Sequence, residues 1–192
     1  MMTARLAGLL SGGAPDQNIA LTVGAYGGRE AWPPEIVAFR MNNLLITDMP
    51  VDQYFTMAYA EVDLATGRAL LVQAGHPHPA VLRRDGQVEY VGRGGLPIGL
   101  IAGASYERTE VQLAPGDRLL MVSDGVTECP SPAGDLGEEG LARILAANHD
   151  LSDSALLETL VWNLSAHFGG EDFPDDVSGV LFRYAGPVTG GG

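Results

Sequence analysis

The sequence predicts an α+β domain in which helices cover antiparallel sheets. Three observations carry this expectation. Short segments with strand-like alternation follow one another from Tyr54 to Ser123, separated by tight turns; two helix-period segments come next; and one apolar segment, Val177 to Tyr184, closes the pattern.

The elements can be justified in order. Met1 to Leu10 is rich in helix formers and stops at Ser11-Gly12-Gly13. Ala14 to Trp32 is dense in turn-forming residues around one apolar piece, Ile19 to Val23, and reads mostly as loop. Pro33-Pro34 suits a helix start, and Ile36, Val37, Met41, Leu44 and Leu45 then form an apolar stripe. Strands are expected over Tyr54 to Asp63 and Arg68 to Ala74, joined by a turn at Ala65-Thr66-Gly67. Val81 to Arg84 and Gln87 to Val91 flank Asp85-Gly86, a pair that tolerates the positive φ of a type I′ turn. Glu107 to Leu113 and Arg118 to Ser123 flank Ala114-Pro115-Gly116-Asp117, completing an expected meander. Helices follow over Leu136 to Ala147 and Ser152 to Phe168, the second capped by Ser152 and carrying Leu156, Leu157, Leu160, Val161 and Leu164 on one face.

Composition narrows the function classes. A chain of 192 residues that is 46% hydrophobic can bury one sizeable core, so one domain over 1–185 with a disordered tail over 186–192 is expected. No apolar run approaches the roughly 20 residues of a membrane span, and the chain reads as soluble and cytoplasmic. A net charge of -13 argues against nucleic acid or an anionic membrane as partner, since either demands a basic face. The lone Cys129 has Asp135 six positions on, where a cysteine-dependent phosphatase would need arginine.

Chemistry concentrates at two strand ends. Leu119-Leu120-Met121-Val122 reads as a buried strand that delivers Ser123-Asp124-Gly125, fixing Asp124 on a rigid element while Gly125 allows a sharp turn or close approach. Pro174-Asp175-Asp176 stands immediately before the last strand. If both ends face one cleft, their carboxylates repel unless a cation lies between them. Hard divalent ions such as Mg²⁺ or Mn²⁺ prefer such oxygen ligands.

The stretch Leu113-Ala114-Pro115-Gly116-Asp117-Arg118-Leu119-Leu120-Met121-Val122-Ser123-Asp124-Gly125-Val126-Thr127-Glu128 resembles the signature of the SpoIIE/RsbU branch of the metal-dependent (PPM) protein serine/threonine phosphatases. Ala74-Gly75-His76-Pro77, Gly95-Leu96-Pro97-Ile98-Gly99-Leu100 and Asp175-Asp176-Val177-Ser178 match its other landmarks in order. The match runs from about Met1 to Tyr184 and is specific from Tyr54 onward.

The resemblance implies an αββα sandwich, two antiparallel sheets face to face with helices outside, and a site for two Mn²⁺ or Mg²⁺ ions at one end. Asp124 and Asp175 match family metal ligands; Gly125, Asp176 and His76 fall in supporting or near-site positions. It further implies water attack on a phosphoserine or phosphothreonine without a phospho-enzyme, with a phosphorylated anti-sigma-factor antagonist as substrate and a larger signalling protein as parent. The family's Gly-Asp-x-x-Asp segment and Gly-His-Gly turn have no counterpart here, Asp16, Asp48 and Asp52 lying in other contexts. An N-terminally incomplete domain lacking early strands is therefore expected, with impaired catalysis, weaker or single-ion binding, and a homo-oligomer, element-swapped or not. A non-catalytic partner-binding module is the alternative.

His76-Pro77-His78 could suggest a zinc site or a cupin-like iron oxygenase, but Leu82 and Arg83 stand where a cupin would want glutamate. Both histidines are read as structural or near-site, and His149 and His167 as surface or interface residues near helix ends.

Overall fold

The computed structural model describes residues 10, 12, 18–48, 54–170 and 172–187. Nearly all of the helix expected over Met1 to Leu10, together with Asp16, Asp52 and the tail beyond Pro187, lies outside them.

Side-chain alternation sets the layers. On β4 (Arg68–Ala74), Ala69 and Leu71 face one way and Val72 and Ala74 the other, and all four are buried. A strand buried on both faces is covered on each side. Within its sheet β4 lies between β3 (Met57–Val62) and β7 (Arg108–Gln112), antiparallel to both. Likewise β5 (Ala80–Leu82) and β8 (Arg118–Val122) lie inside a second antiparallel sheet of order β6-β5-β8-β9, with β6 over Val88–Tyr90 and β9 over Gly179–Arg183.

Ala69, Leu71, Val81, Val111, Leu113, Leu119 and Tyr184 form the layer between the two sheets. Helix α1 (Pro34–Asp48) covers the outer face of the first sheet, seating Ala38, Met41 and Leu45 against Val72, Ala74 and Ile98. On the far side, α3 (Gly137–Ala147) and α4 (Asp153–Phe168) press Leu141, Leu145, Leu156, Leu160 and Leu164 onto Ala80, Leu82, Leu120 and Val122. The result is the helix–sheet–sheet–helix sandwich expected from the sequence.

Four local expectations change. The strands do not form one meander, because β4 pairs with β7 and β5 with β8, so the chain crosses between sheets. The Asp85-Gly86 hairpin is not type I′: only Gly86 has positive φ (91°), and Gly86 N–H to Arg83 O with Arg83 N–H to Gln87 O makes a three-residue loop. The region around Ile19 carries a small hairpin, β1 (Leu21–Val23) with β2 (Arg29–Ala31), rather than only loop. On α4, Ser152 caps as expected by accepting from Ala155 N–H, but Val161 turns half out of the core.

Asp117 anchors the turn before β8. It is 3% exposed and accepts hydrogen bonds from Ala114 N–H (3.0 Å), Arg84 N–H (3.1 Å) and Arg83 Nη1 (2.8 Å). Arg118 pins the other side, donating to Asp153 and to the carbonyls of His149 and Leu151.

Candidate metal centre

The antiparallel pairing of β8 and β9 brings the two acidic motifs together. Val122 stands opposite Gly179, so the residues leaving β8 run beside those entering β9. Beyond the ladder, Ser123 N–H donates to Ser178 O at 2.9 Å, Ser123 Oγ donates to Asp176 O at 2.8 Å, and Ser178 N–H donates back to Ser123 Oγ at 3.0 Å. Ser123 thus staples the two segments, a role that its place inside the motif did not disclose.

Gly125, buried in the short helix α2 (Asp124–Thr127), makes the closest approach. A Cβ there would lie 2.5 Å from Asp176 O and 3.5 Å from the carbonyl carbon of Asp175. Only a residue without a side chain fits between these backbones.

Both carboxylates are half-engaged and exposed. Asp124 Oδ1 accepts from Gly125 N–H at 3.1 Å and Asp175 Oδ1 from Asp176 N–H at 2.7 Å, which leaves the second oxygen of each without a donor among the described residues. Among the described residues no ion pair involves Asp124, Asp175 or Asp176. Acidic groups gathered at one mouth without a cationic side chain suit a hard divalent ion, which can be held by one or two carboxylates with water completing its shell. No group of three or more His, Cys, Asp or Glu side chains poised for a metal occurs among the described residues.

His76, in the loop after β4, borders the same mouth. Burial lowers its imidazole pKa, while the nearby Asp124 charge and a hydrogen bond to the Val122 carbonyl oppose that fall. Its Nδ1 lies 3.3 Å from Thr56 Oγ1. A cleft of about 340 Å³ runs past His76, Thr56, Ser123 and Ser178, between β3 and β9, the outer strands of the two sheets among the described residues.

Gln73 supports the His76 loop and was missed, because a glutamine in an apolar strand carries no signal beyond its polarity. Its buried side chain donates to His76 O and accepts from Gly94 N–H at 2.8 Å. The chain wraps it through Gly92 and Gly95, where an added Cβ would strike Gln73 Oε1 at 2.3 Å and Gln73 O at 2.6 Å.

The remaining candidates separate. His78 turns to Glu138 of α3, Nδ1 to Oε1 2.8 Å, and does not share partners with His76, so the paired-histidine iron site is not assembled. His149 is half-buried against the Gly86 hairpin, with Nδ1 2.9 Å from Ala146 O, rather than lying on the surface. His167 keeps a buried Nε2 without a partner among the described residues. Cys129 is buried, and burial together with Asp135 raises its thiol pKa, the opposite of an activated nucleophile.

Two face-to-face antiparallel sheets flanked by helices are the fold of the PP2C-type (PPM) phosphatase domains. The SiaA-PP2C domain of Pseudomonas aeruginosa superposes with a TM-score of 0.69 at 18% identity, covering 80% of this chain and 61% of that one. Within that class the chain belongs to the SpoIIE family: the family model described as Stage II sporulation protein E (SpoIIE) matches residues 3–185. It is 24% identical over 126 residues to Protein IcfG of Synechocystis sp., covering 65% of this chain and 20% of that protein. It is 26% identical over 113 residues to Phosphoserine phosphatase RsbU of Bacillus subtilis, covering 58% of this chain and 34% of that protein. The chain therefore spans only about a fifth to a third of the length of these curated relatives.

Proposed function

We propose that this domain belongs to a protein phosphatase that hydrolyses phosphoserine or phosphothreonine on a protein of the anti-sigma-factor antagonist type, as the output unit of a larger cytoplasmic signalling protein. The observation that carries the reading is the close approach of the Asp124-Gly125 and Asp175-Asp176 backbones at one strand mouth, with no ion pair to these carboxylates among the described residues. RsbU, a family relative, is a phosphoserine phosphatase by name, which supports the reaction class.

Asp124 and Asp175 would hold Mn²⁺ or Mg²⁺ through their free oxygens. Bound ions supply an acidified water and offset charge on the phosphoryl oxygens. The chain's own residues do the positioning. Ser123 and Gly125 fix the spacing of the two acidic segments, Asp176 orients Asp175 through its N–H, and His76 borders the mouth as a half-buried imidazole beside Asp124. In hydrolysis the water oxygen bonds to phosphorus, the bond from phosphorus to the Ser or Thr oxygen breaks, and that oxygen leaves as the alcohol after gaining a proton.

Release of phosphate from a phosphorylated antagonist protein by the full-length parent with Mn²⁺ tests this directly. Activity is expected to vanish in Asp124→Ala/Asp175→Ala; activity that survives removes the site. A second reading, a partner-binding module without catalysis, rests on the candidate ligands being only Asp124 and Asp175, with no group of three or more potential metal ligands among the described residues. Calorimetric titration of this chain with Mn²⁺ should then show one weak ion, and two tight ions would contradict it. Homo-oligomerisation belongs to the same proposal, since β3 and β9 each present to the cleft an edge that is unpaired among the described residues. A monomer at all concentrations in light scattering would refute that part.

A further inference from the structure

At the opposite end of the β8–β9 ladder from the carboxylates lies a cavity of about 610 Å³, a size typical of small-molecule sites. Arg118 pairs with Arg183 at that end of the ladder, and the five-residue strands separate it from the acidic mouth by roughly 16 Å at about 3.3 Å per residue. Its lining includes Arg83, Arg84, Arg118, Arg183 and His149, against a single acid, Asp150. The whole chain holds 11 Lys and Arg residues and a net charge of -13, so four guanidiniums around one hollow run against the composition of the molecule.

Three of the four arginines are partly committed. Arg83 donates to Asp117 and Glu89, and Arg118 is spent on Asp153 and two carbonyls. Arg183 shares Asp153 with Arg118, its Nε 3.1 Å from Oδ2, so one carboxylate serves two cations. Arg84 is exposed, and no acid pairs with it among the described residues. Its stem is nevertheless placed: Cδ and Cγ lie 3.2 and 3.5 Å from where a Gly116 Cβ would stand, over a turn whose φ of +99° excludes larger residues. The hairpin tip is fixed as well, Gly86 sitting against the His149 ring. The hollow thus has ordered walls and, among the described residues, one cation without a counterion and another sharing its own.

We infer that this cavity binds a small anion bearing two or more phosphate groups, held by the guanidiniums of Arg84 and Arg183. Planar guanidinium forks match phosphate oxygens in pairs, and Arg84, with which no acid pairs among the described residues, and Arg183, which shares one carboxylate with Arg118, are the two whose charge is least neutralised. The site is separate from the proposed metal centre and does not depend on the phosphatase reading.

Isothermal titration with inorganic pyrophosphate, in buffer free of divalent ions, tests the inference on this chain. One saturable site is expected, weakened at least tenfold in Arg84→Ala/Arg183→Ala and unchanged in Asp124→Ala. Arg84→Glu, at an exposed position with no ion pair among the described residues, should weaken binding at least as much as the double variant without altering the thermal transition. Absence of binding, equal affinity in the arginine variants, or loss of binding in Asp124→Ala would each overturn the inference. A phosphoserine peptide binding here more tightly than pyrophosphate would overturn the small-molecule assignment.

Discussion

Replacing Gly125 by alanine probes the close approach at the candidate metal centre with one methyl group. The new Cβ would meet Asp176 O at 2.5 Å and Asp176 C at 3.0 Å, both backbone atoms that cannot rotate aside. Restoring ordinary contact at 3.4 Å requires the two segments to part by 0.9 Å, the difference between those distances. Ser123 resists that parting through its bonds to Asp176 O and Ser178 N–H. Overpacking of this kind costs about 1–3 kcal/mol. A displacement near 1 Å at a reacting centre can cost on the order of 100-fold in rate. Gly125→Ala should therefore lower stability in urea by about 1–3 kcal/mol. In the full-length parent it should lower Mn²⁺-dependent phosphate release by roughly 10- to 100-fold, while the circular dichroism spectrum of the fold persists. A variant with wild-type stability and turnover would show that the Gly125 contact does not set the spacing of the carboxylates.

Other expectations follow from single contacts. Asp117→Ala strands the half-buried Arg83 and two backbone donors, and should cost roughly 2–4 kcal/mol by denaturant titration. Burial pushes the Asp117 carboxyl up, but Arg83 and the two N–H donors together hold it below the usual range. Its contribution is therefore complete above the ordinary carboxylate pKa and lost as pH falls through the lower folded value, so Asp117→Asn should flatten the acid limb of a stability-versus-pH curve. Ser123→Ala removes the staple and should cost about 1–2 kcal/mol in urea, with a larger relative loss in Mn²⁺ affinity than in stability. Cys129 should react with a disulfide reagent only at the rate of unfolding, and rapid labelling of the native protein would contradict its burial.

The sheets and long helices were legible because their residues obey one period throughout. Arg68 to Ala74 alternates across two buried faces, and Ser152 to Phe168 carries a cap, an apolar stripe and a left-handed stop at Gly169. Hairpin β1–β2 was not legible, since its strands are three residues long and β2 is exposed throughout, leaving no pattern to read. Val161 follows the helical period and is still half exposed, on the side of β9, the outer strand of its sheet among the described residues. At the candidate site the sequence offered Asp124 and Asp175 through their places at strand ends, whereas Thr56 meets His76 only once β3 folds back on β4, and the role of Gln73 shows only in its bond to Gly94, 21 residues further on. The crossing of the chain between the sheets is equally non-local, and neighbouring residues do not encode it.

The Gln73 side chain, gripping both the His76 carbonyl and the Gly94 amide, has a consequence for hydrogen exchange. Gly94 lies in an irregular segment, outside every strand, yet its amide is bonded to an oxygen anchored in β4. Deuterium should therefore reach Gly94 as slowly as it reaches the first sheet, while the amide of neighbouring Arg93, without such an anchor among the described residues, exchanges at the rate of a surface loop.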